Sequence, residues 1–157
     1  PGRLMFSPDA LCPKYLVDPS VFICEPRKTK GIVSFGPENK SLIDDKSYFY
    51  LSHVITNEEE GLAYVEGYRA AARAERGFEQ DFLMGYGLTM PRIKEGISFD
   101  VENAPASEIP LLIEKPDNHI PGGGHVLFLD GHVEFMKQDS AFPMTKSFIK
   151  ALKSIDE

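Results

Sequence analysis

The sequence predicts an α+β domain: an antiparallel sheet closed by a C-terminal β-hairpin and flanked by helices. Three observations carry that reading. Val126-Leu-Phe-Leu129 and His132-Val-Glu-Phe135, two strand-like segments, flank Asp130-Gly131, a dipeptide suited to the positive φ angles of a tight hairpin turn. Residues 58–76 carry apolar side chains at helical spacing. Twelve prolines and thirteen glycines in 157 residues require many turns, which a helical bundle would not tolerate. That length suits one domain spanning residues 1–157.

The chain begins as an extended, proline-punctuated segment over residues 1–26, with Val21 to Cys24 as a short buried strand. Residues 27–46 are polar and read as an exposed loop. Ser47 to Ile55 has the aromatic and β-branched content of a strand. A helix follows. Asn57 is its N-cap, Glu58, Glu59 and Glu60 lie at the positive end of its dipole, and Leu62, Val65, Tyr68 and Ala72 form its apolar stripe. Arg69, Arg73 and Arg76 near its C-terminus could bind an anion but read better as a solvated face that complements the dipole, and Gly77 offers a stop. Residues 78–108 show little periodicity beyond a strand over Ile97 to Val101. Ile109 to Glu114 reads as a buried strand. Phe142 to Ile155 closes the chain as an amphipathic helix with Phe148, Ile149, Leu152 and Ile155 inward.

In the hairpin, a two-residue type I′ turn at Asp130-Gly131 places Leu129 opposite His132 and Phe128 opposite Val133. Leu127 then faces Glu134 and Val126 faces Phe135. Val126, Phe128, Val133 and Phe135 form the core face on this register, and Leu127, Leu129, His132 and Glu134 the other. Upstream lie His119 and the run Gly122-Gly123-Gly124. That run lacks the GK[ST] ending of a phosphate loop and reads as a flexible or tightly turned connection.

Net charge is -7 and there is no basic cluster, so a nucleic-acid partner is not expected. No apolar run approaches the ~20 residues of a membrane span. Cys12 and Cys24 are the only cysteines. They suit a disulfide worth roughly 3 kcal/mol on the chain-entropy model, or two small buried apolar side chains. No serine or cysteine has a nucleophile motif around it, and His53, inside an apolar strand, reads as a satisfied core histidine. Glu114, Asp117, His119, Asp130, His132 and Glu134, with His125, could supply metal ligands. Oxygen donors dominate, so calcium is favoured over zinc. Asp130 also has a sufficient role as a turn former, and His132 with Glu134 as a surface pair.

Pro110 to His119, the triple glycine, and Val126-Leu-Phe-Leu-Asp-Gly-His-Val-Glu-Phe135 together resemble the C-terminal region of a bacterial prepilin-like family. That family is marked by a histidine followed about ten residues later by Asp-Gly. Tyr15-Leu16, Asp18-Pro19, Val21 to Cys24 and Ser47 to Tyr50 are similar to further stretches of it, in the same order. The spacing from His119 to Asp130 is one residue longer than usual, Glu25 stands where the family has proline, and His125 replaces an asparagine. The 58–76 helix has the character of an insertion.

The resemblance implies a pseudopilin-like soluble domain whose N-terminal methylated membrane helix is absent from this sequence. It implies a non-enzymatic, structural or accessory subunit of a type II secretion pseudopilus or related fibre. Such a subunit lies outside the cytoplasmic membrane, is anchored there as a precursor, and has other pilin-like subunits or secretion components as partners. His119, Asp130 and Gly131 are the signature residues: Gly131 should take a positive φ, Asp130 should cap the turn, and His119 should tie the glycine loop to neighbouring backbone or to Asp130. Calcium, common in the C-terminal loops of pseudopilins, would be held by Glu114, Asp117 and Asp130. Two other readings are a metal-dependent hydrolase using the acidic and histidine groups of 119–134, and a cell-surface ligand-binding module presenting Tyr48, Tyr50, Tyr64 and Tyr68.

Overall fold

A computed structural model describes residues 47–74, 82–83, 89–93, 104–119 and 122–155. The expectations for Cys12, Cys24, the 21–24 strand, the 27–46 loop, Arg76, Gly77 and the 97–101 strand lie outside these residues. The described elements run β1 (Tyr48–Tyr50), α1 (Glu58–Arg73), β2 (Phe82–Leu83), β3 (Thr89–Met90), β4 (Pro110–Glu114), β5 (Gly123–Phe128), β6 (Val133–Lys137) and α2 (Lys146–Lys153). β1, β4, β5 and β6 form a four-stranded antiparallel sheet in the order β1-β4-β5-β6, while β2 and β3 pair separately. The architecture is α+β, with both helices contributing to the core of the sheet.

Alternation organises the first strand and its continuation. Phe49, Leu51, His53 and Ile55 are all essentially inaccessible, as period-two geometry requires of residues on one face. The expected 47–55 strand is thus seen as a shorter β1 followed by a chain that leaves β4 after Leu51 bonds Leu111. It then bridges Arg92 at His53.

In β4 a bulge between Pro110 and Leu112 resets the pleat, so Pro110 and Ile113 both face inward. Ile113 pairs with Phe49 on one side and Val126 on the other. Opposite residues of a ladder share a face. Tyr48, Glu114, His125 and Phe135 therefore form a row across all four strands on the outer face, and Tyr50, Leu112, Leu127 and Val133 form a second.

The hairpin departs from the expected register. Leu127 pairs with Val133, Val126 with Glu134 and His125 with Phe135. Phe128 N–H donates to the His132 carbonyl and Gly131 N–H to the Phe128 carbonyl, both at 3.0 Å. The loop thus contains three residues, Leu129, Asp130 and Gly131. Gly131 alone takes a positive φ, of 91°, where the sequence suggested two such residues. A type I turn ending in a left-handed glycine is the usual three-residue hairpin. Its extra loop residue inverts the predicted facing of β6, because a slip of one residue moves every side chain to the opposite face. Val126 and Phe128 are buried as expected, but Val133 and Phe135 are 58 % and 49 % exposed. Met136 packs against the core from β6 instead.

The two helices cover the inner face. Asn57 caps α1 by accepting the Glu60 N–H, and Glu60 reaches back to accept the Thr56 N–H and hydroxyl, a reciprocal arrangement akin to a capping box. The buried stripe of α1 is Gly61, Tyr64, Val65 and Ala71, whereas the sequence suggested Leu62 and Ala72, which are exposed. Gly61 lies close against α2, where a Cβ would come 2.7 Å from the Phe148 ring, and so turns that side of the helix inward. α2 starts later than expected, at Lys146, capped by Thr145. Its Phe148, Ile149 and Leu152 are buried and Ile155 packs on the same core, as the spacing predicts. Thr145 also donates to Glu58 Oε1 at 2.9 Å, which links the starts of the two helices. Arg69 and Arg73 are exposed, and Arg69 donates to the hydroxyl of Ser154, the residue that caps the C-terminus of α2.

Candidate functional site

The end of β4 places a buried carboxylate on the outer face of the sheet. Glu114 lies on the outer face, directly beside His125 of β5, yet its side chain is only 5 % exposed. After Lys115 the chain turns through a 3-10 segment, Pro116–Asn118, which brings His119 back over the same carboxylate. His119 Nε2 lies 2.9 Å from Glu114 Oε1 and His125 Nδ1 lies 2.7 Å from Oε2. The His125 backbone N–H donates to Oε2 at 3.0 Å. A carboxylate only accepts, so each ring nitrogen presents an N–H to it. Three donors thus offset the desolvation of a buried acid, which would otherwise cost several kcal/mol.

The residues around this clasp fix its shape. Gly124 has no room for a side chain, since a Cβ would lie 2.6 Å from the Glu114 carbonyl oxygen. The His125 ring stands edge-on between His119, centroids 6.0 Å apart, and Phe135, 5.3 Å apart. Phe135 in turn lies over Gly123, where a Cβ would come within 2.7 Å of its ring. Gly123 and Gly124 are therefore strand residues chosen for close approach, not the flexible or tightly turned connection that the sequence suggested.

Among the described residues, Glu114, His119 and His125 are the group whose ligand-type atoms converge, all within 4.8 Å of one another. The expected calcium set is not gathered. Asp117 pairs with Lys153 of α2 at 2.7 Å. Asp130 accepts from the His132 backbone at 3.0 Å and lies 2.6 Å from His132 Nδ1. Those bonds, the backbone one foremost, hold the exposed Asp130 carboxyl below its usual range. His132 stacks flat on Phe128, centroids 4.5 Å apart, and Glu134 is exposed opposite Val126.

The signature residues take up conformational roles. Gly131 has the positive φ and Asp130 caps the turn; His119 ties to the Glu114 side chain, not to backbone or Asp130. What sequence reasoning missed was the pairing of Glu114 with both histidines. Its signal was the His125 position, which any register with Ile113 opposite Val126 sets beside Glu114.

The tyrosines do not form one surface. Tyr64 is buried, with Tyr68 stacked on it at 6.5 Å, while Tyr48 and Tyr50 lie on β1. His53 is a buried core histidine, its Nδ1 3.0 Å from the Ser52 hydroxyl and its ring 5.5 Å from that of Tyr64. No helix among the described residues is long and apolar enough to cross a membrane. No family model, curated protein or solved structure matches the chain.

Proposed function

We propose that this chain is the extracytoplasmic domain of a pilin-like subunit, structural or accessory and non-enzymatic, of a bacterial secretion pseudopilus or related surface fibre. Its fold on this reading is the pseudopilin-like one, with the sheet as the platform on which a precursor's N-terminal helix would lie. The observation that carries it is the work done by the three signature residues. Gly131 supplies the turn's left-handed residue, Asp130 caps that turn, and His119 holds the loop before β5 onto the buried Glu114. A motif spent on holding a hairpin and its approach in shape is what a scaffold subunit needs. Val133 and Phe135, apolar and half-exposed on the sheet face away from the helices, suit a protein that packs against neighbouring subunits. The partners on this reading are other pilin-like subunits or secretion-system components.

The test is expression of the full-length gene product in bacteria with and without a prepilin peptidase. The expected result is a peptidase-dependent drop in mass and recovery of the protein with the inner membrane. An identical mass in both strains, with the protein in the cytosolic fraction, would overturn the proposal.

A further inference from the structure

We infer that Glu114, His119 and His125 form a binding site for one divalent transition-metal ion of the zinc class. The inference rests on the geometry of these three side chains and stands independently of the assembly proposed above. Two imidazoles and one carboxylate are the donor set that zinc takes when it keeps an open position, and that other borderline metals also accept. Calcium, which seeks six to eight oxygens, is a poor match for two ring nitrogens.

The ligands come from three fixed places: the end of β4, the turn after it, and the second residue beyond the start of β5. Their donor atoms already lie within 4.8 Å of one another. Tetrahedral ligands at about 2.1 Å from a zinc ion stand roughly 3.4 Å apart. The 2.9 Å and 2.7 Å contacts to the carboxylate therefore need to open by about 0.5–0.7 Å, and donor atoms as far apart as 4.8 Å need to close by up to about 1.4 Å. His125 can make that movement, because 53 % of its side chain is exposed.

On binding, each imidazole presents a lone pair where it now presents an N–H. The His125 backbone N–H, 3.0 Å from Oε2, continues to orient the carboxylate, as the outer hydrogen bonds of zinc sites do. Phe135 and Gly124 restrict the ring and the strand beside it. Three protein ligands leave at least one coordination position for water or for a donor from another molecule.

The test is titration of chelator-stripped protein with zinc chloride by calorimetry, and with cobalt chloride by visible absorption. The expected result is one ion per chain at micromolar concentration, with cobalt d–d bands of a low-coordinate nitrogen and oxygen site. His125→Ala removes a half-exposed ring and leaves the core intact, and should weaken binding at least about tenfold. His119→Ala and Glu114→Gln should do the same, with thermal unfolding of each variant checked alongside. His132→Ala, which removes a histidine outside the site, should bind as the parent does. Absence of zinc binding by the parent would overturn the inference, as would equal affinity in His125→Ala and the parent, or loss of binding in His132→Ala alone.

Discussion

Gly131 and Glu114 are the two residues on which the C-terminal region turns. A Cβ at Gly131 would meet nothing within 4 Å, yet its φ is 91°. Any cost of Gly131→Ala is therefore one of backbone conformation, with no clash involved. It should be about 1–2 kcal/mol, read as a lower denaturant midpoint at unchanged slope; an unchanged midpoint would mean the hairpin closes differently. This glycine's role could be read from the sequence, because Asp-Gly between alternating segments has few other uses. The loop length could not. Asp-Gly fits the middle of a two-residue turn and the end of a three-residue one equally well, and the choice decides which face β6 presents. Glu114 was legible as a candidate ligand but not its partners, since His119 reaches it through a 3-10 turn with no periodicity to read.

At the scale of elements, the helices show where apolar counting succeeds and fails. In α2 the bulky residues are the buried ones, so spacing finds the stripe. In α1 the contact is made by Gly61, which hydrophobicity does not register, and the true stripe is displaced from the predicted one by one position. Gly61→Ala separates the competing effects. Helix propensity favours alanine by about 1 kcal/mol. Against that, the new methyl would sit 2.7 Å from the ring of Phe148, which is itself fully buried and cannot swing away. Overpacking of this kind costs about 1–3 kcal/mol. The net expectation is destabilisation, measured by thermal unfolding; a raised midpoint would show that α1 and α2 can move apart freely.

Across the whole molecule, the phenol of Tyr64 couples cohesion to alkaline pH. It is enclosed where α1 meets the continuation of β1, within reach of the Ser52 amide and hydroxyl. Burial pushes its pKa from 10.0 to about 12. Above pH 10 the unfolded chain releases this proton while the folded one keeps it. The stabilising contribution is thus complete below pH 10 and is lost as pH rises through 12. Its full size is on the order of 2–3 kcal/mol. Unfolding free energies measured from pH 9 to 12 should fall more steeply for the parent than for Tyr64→Phe. Parallel slopes would place the alkaline sensitivity elsewhere.

The sheet order has a consequence for how the chain acquires its shape during synthesis. β4, β5 and β6 are consecutive and can zip together as they emerge. β1 has its partner in β4, Tyr48 lying opposite Glu114, so at ribosomal speed it waits roughly 3–13 s for that partner to be made. In that interval Phe49, Leu51 and Ile55, destined for the interior, have α1 and Met90 for cover among the described residues, and lack β4, β5, β6 and α2. Until then β1 lacks its sheet partner, and the meander of β4, β5 and β6 completes the sheet on arrival. Protection of the Tyr48–Tyr50 amides should therefore be the last to develop in refolding followed by pulsed hydrogen exchange.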